Sequence, residues 1–272
     1  MKAGFYFDTF VIDCKRLSEA IFVFMEGIHI SLAAEKLGSF MGVPITNTLI
    51  MVWVVSAILI VCAVVFGRKL SMVPGRFQVP LEVGLGAGMS YIEDALASKR
   101  LARLFFALIA SLFIFILVGN LIQFVPGVGS IGFYSMEKDH LVFAPLFRGL
   151  ATDLNVTLAL ATIAFLTIEI TGFRELGFLK YAGKFVNFKS PLSFAIGIID
   201  LFSEFARLIS FSFRLFGNIF AGEVIILIII AFVPYILPVP LILFEVFVGF
   251  IQAAIFALLT LFFIKIAVTE HH

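Results

Sequence analysis

A chain of 272 residues that is 62% hydrophobic and only 14% charged, with 35 phenylalanines and a mean hydropathy of +1.15, is not a soluble domain. Its net charge of +1 gives no argument for nucleic acid or any strongly charged partner, and its two cysteines support neither a disulfide framework nor a metal site. Several charge-free windows reach the roughly 20 residues that cross a bilayer as a helix, and the short alternating segments of a β-barrel are missing. The composition therefore calls for an all-α integral membrane protein.

Residues 1–47 form a polar preamble with four basic and five acidic side chains, and no continuous apolar core that would read as a cleavable signal peptide. Within it, SEAIFVFMEGIHISLAAEKLG has helical apolar spacing suited to a membrane surface. Pro44 stops that pattern, and TNTLIMVWVVSAILIVCAVVFG follows without a charge between Lys36 and Arg68. This predicts a first span over 48–67. Cys62 lies inside that span and Cys14 before it, so nothing pairs them.

In the basic stretch that follows, Leu81, Leu85, Met89, Ile92 and Leu96 fall on one helical face, away from Glu82 and Glu93. That pattern predicts an interfacial amphipathic helix over 78–98. Its GLGAG run, 84–88, lacks the preceding strand and full fingerprint of a phosphate-binding loop, and reads as close helix packing. Further spans are expected at 104–123, ended by Pro126-Gly127, and at 153–172. A loop rich in Gly and Pro separates them. The next element, 193–233, would be roughly 60 Å long at 1.5 Å per residue, about twice the hydrocarbon thickness. After the proline connection PYILPVP, the last element covers 241–268. Two such long helices read as a tilted antiparallel hairpin.

Charge sets the topology. Arg68, Lys69, Arg76, Lys99, Arg100 and Arg103 lie in one connection and Arg174, Lys180, Lys184 and Lys189 in another. The alternate connections hold only Lys138 and Arg148. The basic loops are expected to face the cytoplasm, with the N-terminus outside and the C-terminus inside.

The long helix is polar where a spanning helix should not be. On a wheel of about 100° per residue, Asp200, Arg207, Ser210, Asn218 and Ala221 fall within about 40° of Arg214, and Gly217 is close by. Charges at membrane depth are costly and mark ion or substrate pathways. Such a face wants a water-filled path or a partner that brings buried carboxylates. Glu223 lies nine residues on, roughly 13 Å along the axis and on the opposite face. In the last helix Glu245 and Gln252 share a face with Gly249. Folding the hairpin would bring Glu223 towards Glu245 at the outer end and Arg214 towards Gln252 deeper in. Simpler readings stand beside these. Arg207 could reach the interface as a snorkelling side chain. Asp200 and Glu204 could form a solvated helix start, and Glu169 could be interfacial. Asn120 and Gln123 could satisfy helix-end carbonyls.

At LISFSFRLFGNIFAGE, 208–223, the chain resembles subunit a of F-type ATP synthases, the membrane stator beside the rotating c-ring. HISLAAEKLG, PITNTLIM, VPGRFQVPLE, GNL at 119–121, RGLATDLNVTLALA at 148–161 and the Glu245–Gln252 helix match as well, so the similarity covers nearly the whole chain. The resemblance implies one membrane domain over 1–272 whose last two helices lie against the c-ring. It implies that Arg214 is the stator arginine, that Ser210 and Asn218 line the cytoplasmic half-channel, and that Glu223, Glu245, Asn120 and Gln252 lie on the outer path or beside the arginine. Asp200, Glu169, Arg148 and Asp153 are further candidates. Many family members carry a histidine where this chain has Glu245. The implied partners are the c-ring, the peripheral stalk subunit b, the rest of the complex and membrane lipid, with no cofactor and a bacterial plasma (inner) membrane location. Two other classes stay open. One is a self-contained secondary transporter, against which the absence of internal repeats counts. The other is an intramembrane enzyme using Glu223 and Glu245, against which the lack of a nucleophile–base pair counts.

Overall fold

The computed structural model describes residues 34–268 apart from 41, 70–74, 77, 126, 138–139, 178–180, 182–189 and 234–235. The surface helix expected within 18–38, Cys14, and the lysines 138, 180, 184 and 189 lie wholly or mostly outside the described residues.

Two short hairpins precede and interrupt the helices. Strands β1 (Lys36–Phe40) and β2 (Val43–Thr46) pair antiparallel, with Phe40 opposite Val43. They turn through Gly42, whose φ of +83° suits a residue without Cβ. Strands β3 (Gly132–Glu137) and β4 (His140–Pro145) pair from Gly132↔Pro145 to Glu137↔His140. The sequence reading saw only a loop there. A run such as HLVFAP is too short for its strand character to stand out from the apolar spans around it.

The helices are α1 (Asn47–Arg68), α2 (Gln78–Leu96), α3 (Lys99–Ile122), α4 (Leu154–Leu176), α5 (Pro191–Phe232) and α6 (Pro238–Val268). All but α2 are long and apolar enough to cross a membrane. Their starts are capped. Thr46 accepts from Leu49 N at 3.2 Å, Ser98 from Leu101 N at 3.4 Å, Asp153 from Asn155 N at 2.9 Å and Ser190 from Ser193 N at 3.1 Å. Capping places α3 five residues before the expected start at 104. Lys99, Arg100 and Arg103 occupy its first turns, so charge marked the end of the apolar window rather than the end of the helix. Helix α6 starts at Pro238, earlier than the expected 241, because proline is compatible with a first helical turn.

Helix α6 is the centre of the bundle, touching α2, α3, α4 and α5. Its buried line Gly249, Ala253, Ala257 and Thr260 is built of small residues. Small residues let helix backbones approach where lipid removes the hydrophobic drive between helices. Helix α1 is nearly the opposite case, buried only at Asn47, Thr48, Met51 and Val55.

The α5–α6 pair runs antiparallel from Arg207 onward. The Arg207 guanidinium lies on the Phe263 ring, the Phe211 and Phe256 rings meet tilted with centroids 5.1 Å apart, and Arg214 and Gln252 line one crevice. Further on, Glu245 lies against Gly222. Each step up one helix is a step down the other. At 42 residues α5 would be about 63 Å long, so the hairpin exceeds an upright span by a wide margin.

Candidate functional site

Helix α5 has two unlike faces. Phe211, Ser212, Leu215, Ile219 and Gly222 are buried against the bundle. Ser210, Arg214, Gly217, Asn218 and Ala221 are exposed, and each lies three or four residues from another of the set. The polar, small-residue stripe of the wheel is thus a continuous uncovered strip. Arg214 Nη2 donates to Ser210 Oγ at 3.3 Å, and Asn218 Nδ2 donates to the Arg214 carbonyl at 2.9 Å. Among the described residues no carboxylate comes within ion-pair range of Arg214. Gln252, buried on α6, shares a narrow crevice with it. An arginine at the bilayer centre costs about 2.5–3.5 kcal/mol by insertion scales and more by other measures. A strip built on one is not made to face lipid.

A separate acid cluster forms at the other end of the hairpin, where α3 ends and α4 begins. Arg148 Nη2 lies 3.3 Å from Glu223 Oε2. The segment carrying Arg148 is held close to α3, for a Cβ on Gly149 would run into the Gln123 carboxamide and one on Gly119 into Leu150. Glu245 is buried with its carboxyl packed on Gly222, where a Cβ would overlap it. Its Oε1 has no hydrogen-bond partner among the described residues. Asn120, also buried, donates from Nδ2 to the Gly249 carbonyl at 3.2 Å. Asn120 therefore bridges α3 to α6 and is not a helix-end cap. Glu245 thus packs against the residue that precedes Glu223, while the described partner of Glu223 itself is Arg148.

The remaining candidates fall elsewhere. Asp153 accepts from Thr48 Oγ1 at 2.6 Å as well as capping α4, which ties α1 to α4. Asp200 is half-buried near the start of α5, and no described contact joins it to Arg214. Glu169 accepts from the Tyr181 hydroxyl at 3.1 Å. Burial, then the Glu169 carboxylate, pushes the Tyr181 phenol above the ordinary tyrosine value. Glu204, read from sequence as part of a solvated helix start, is 5% exposed. It is paired with Arg207 across one helical turn.

Sequence reasoning missed Tyr181, Phe263 and Gly222. A lone tyrosine in a basic loop and one phenylalanine among 35 carry no local signal. Gly222 could have been noticed, since a glycine beside Glu223 leaves room for a partner's carboxyl.

These features define a multi-pass α-helical membrane protein with a guanidinium on an uncovered face of its longest helix and a separate, half-enclosed acid cluster. Comparison with known proteins gives the family. The family model described as ATP synthase A chain matches residues 49–265. The chain is 34% identical over 223 residues to "ATP synthase subunit a" of Geotalea uraniireducens, covering 81% of this chain and 86% of the relative. It is 34% identical over 251 residues to "ATP synthase subunit a 2" of Syntrophotalea carbinolica, covering 90% and 94%. With the subunit a of Campylobacter jejuni strain RM1221 it shares 34% over 209 residues, 76% and 83% of the two chains. The chain belongs to the ATP synthase A chain family.

Proposed function

We propose that this chain is the ion-conducting membrane subunit of an F-type ATP synthase, non-catalytic in itself, standing beside a rotating c-ring. The observation that carries the reading is the uncovered Ser210–Arg214–Asn218 strip, whose arginine has no acid of its own chain within ion-pair range among the described residues. A ring that presents one buried carboxylate per subunit supplies the missing acid. The excess length of α5 and α6 lets a tilted hairpin follow the curved flank of such a ring.

The residue types suit the task. Guanidinium stays charged at physiological pH, so Arg214 favours the ionised form of each ring carboxylate that reaches it, and a proton is released. Because Arg214 cannot hand a proton on, it also separates the two half-channels. Glu223 and Glu245, with Asn120 near them and Gln252 beside Arg214, form the outer path that reloads the ring, while Ser210 and Asn218 flank the inner one. Membrane potential contributes about 2.3 kcal/mol per charge per 100 mV, which explains why several ions must pass for each ATP.

The positive-inside rule places the basic connections in the cytoplasm, hence the N-terminus outside and the C-terminus inside a bacterial plasma membrane. The c-ring and the peripheral stalk subunit b are the expected partners. The deciding experiment is Arg214→Ala in the assembled complex. Coupled ATP synthesis should vanish while subunit composition stays normal; synthesis at the normal rate would refute the assignment.

A further inference from the structure

The first turn of α1 carries a polar pair that the roles above leave unused. Asn47 and Thr48 are fully buried, whereas most of α1 after Val55 is exposed. Asn47 Nδ2 donates to the Pro145 carbonyl at 3.3 Å, and Thr48 Oγ1 donates to Asp153 Oδ2 at 2.6 Å. Asn47 Oδ1 accepts from the Thr48 amide at 2.9 Å, so its carboxamide is held at both ends. Asp153 is held in turn by Asn155, whose backbone amide and side chain donate to Oδ1 at 2.9 and 3.1 Å. Pro145 and Asp153 bracket Arg148 in the chain. Two neighbouring residues of α1 thus grip, on either side, the segment whose arginine meets Glu223.

The gripped segment has little freedom of its own. Gly149 to Asp153 are all buried, and Leu150–Thr152 form a single 3₁₀ turn in which Thr152 Oγ1 donates to the Gly149 carbonyl at 2.7 Å. Leu150 and Ala151 share one apolar core with Met51 and Val55 of α1. The close approaches of Gln123 to Gly149 and of Leu150 to Gly119 close the side towards α3. Adhesion alone does not account for the polar pair. Hydrogen bonds between membrane helices return little on average, and Met51 and Val55 already anchor α1. Position accounts for it better. A guanidinium is a rigid planar fork, so the backbone that carries it must be held if it is to stay on one carboxylate.

We propose that Asn47 and Thr48 are positioning residues for the Arg148–Glu223 pair, holding the arginine's segment from both sides so that its guanidinium stays on the Glu223 carboxylate. The inference rests on the reading of Glu223 as part of the outer path, and it adds to that path a helix that supplies none of its acids. Neither side chain gives up a proton. Thr48 keeps its hydroxyl hydrogen on Asp153 and Asn47 its amide hydrogen on Pro145 while protons pass through Glu223. Loss of either contact frees the segment, the positive charge beside Glu223 retreats, and passage through the acid cluster slows.

The test measures ATP synthesis by the complete complex in vesicles, driven by an imposed pH difference and a potassium diffusion potential. Thr48→Val removes the hydroxyl and keeps the shape, and should slow synthesis about tenfold, the fold-change that matches one lost hydrogen bond to a charged group. Thr48→Ser keeps the donor and should stay within about twofold of the original by the same measure. In an Arg148→Gln background, itself slowed, Thr48→Val should add less than about twofold, because no guanidinium is left to position. Arg148→Lys, a flexible point charge that depends less on its backbone, replaces that background where Arg148→Gln is too slow to measure. Asn47→Ala, which releases the Pro145 carbonyl, should show the same dependence on Arg148 and keeps the test decisive where Thr48→Val does not assemble. Normal synthesis in Thr48→Val overturns the proposal, as does normal synthesis in Arg148→Gln. A loss that serine does not repair, or one of equal size in both backgrounds, overturns it too, and so does failure of both the Thr48 and Asn47 variants to assemble, since these are marks of a structural role. If Arg214→Ala also synthesises ATP at the normal rate, the functional reading itself fails. If Arg214→Ala is inactive while Thr48→Val is normal, only this inference falls.

Discussion

Arg148 and Glu223, 75 positions apart in the chain, meet with Nη2 and Oε2 3.3 Å from each other. The arginine comes from the segment leading into α4, the acid from the far half of α5. Their side chains are 9% and 29% exposed, so the contact is shielded though not sealed. It supplies a counter-charge to the acid cluster from outside the α5–α6 hairpin.

Removing that arginine should unsettle Glu223 without dismantling the bundle. Arg148→Gln is expected to lower ATP-synthesis rate and to destabilise by about 1.5–3 kcal/mol, the range for hydrogen bonds to charged groups. A double-mutant cycle with Glu223→Gln on the purified complex measures it. Additive losses would show that the two side chains do not act together.

Gly222 should tolerate nothing larger. Its missing Cβ is the space occupied by the Glu245 carboxyl, so Gly222→Ala must move either the acid or the helix. Proton uptake from the outer side should fall in Gly222→Ala and recover in part when Glu245→Asp shortens the intruding side chain. Uptake unaffected by the alanine would mean that Glu245 does not work from this seat.

Tyr181 makes stability depend on alkaline pH. Its pKa is raised in the folded chain from the ordinary value of 10.0, chiefly by burial and then by Glu169. The unfolded chain therefore loses this proton first as pH rises. The stabilisation is complete below about pH 10 and is lost progressively above it. Thermal unfolding in detergent between pH 9 and 11.5 should show a decline that is shallower in Tyr181→Phe. Identical slopes would remove Tyr181 as the cause.

Orientation can be read with single cysteines in a background lacking Cys14 and Cys62. Ser98, at the start of α3, should react with a membrane-impermeant maleimide only from the cytoplasmic side, and Ser130, between α3 and β3, only from the outside. The reverse pattern would invert the topology drawn from the basic loops.

Much of the architecture was legible before any coordinates. Apolar windows announce α1, α3 and α4, and the run 193–233 was visibly too long for an upright span. The wheel had already placed Ser210, Arg214 and Asn218 on one face. Other features were not legible because they depend on residues far apart in sequence. Glu204 looked solvated because it lies with Asp200 near the start of the long helix; its burial comes from packing of α5 against the bundle. For Asn120 a helix-end role stood beside the path role, and its partner proves to be a carbonyl 129 positions away.

Hydropathy and charge along the chain determined that this protein crosses a membrane, how many apolar helices it has, and which arginine stands where an arginine is expensive. Those are properties of segments, and a segment's cost in lipid depends on its own composition. Only the tertiary structure decided that Arg214 faces outward, that Arg148 meets Glu223, that Gly222 seats Glu245, and that Arg207 is pinned between Glu204 and Phe263. Each of these depends on helix register and close approach, which arise when faces of different helices meet and which no single segment encodes.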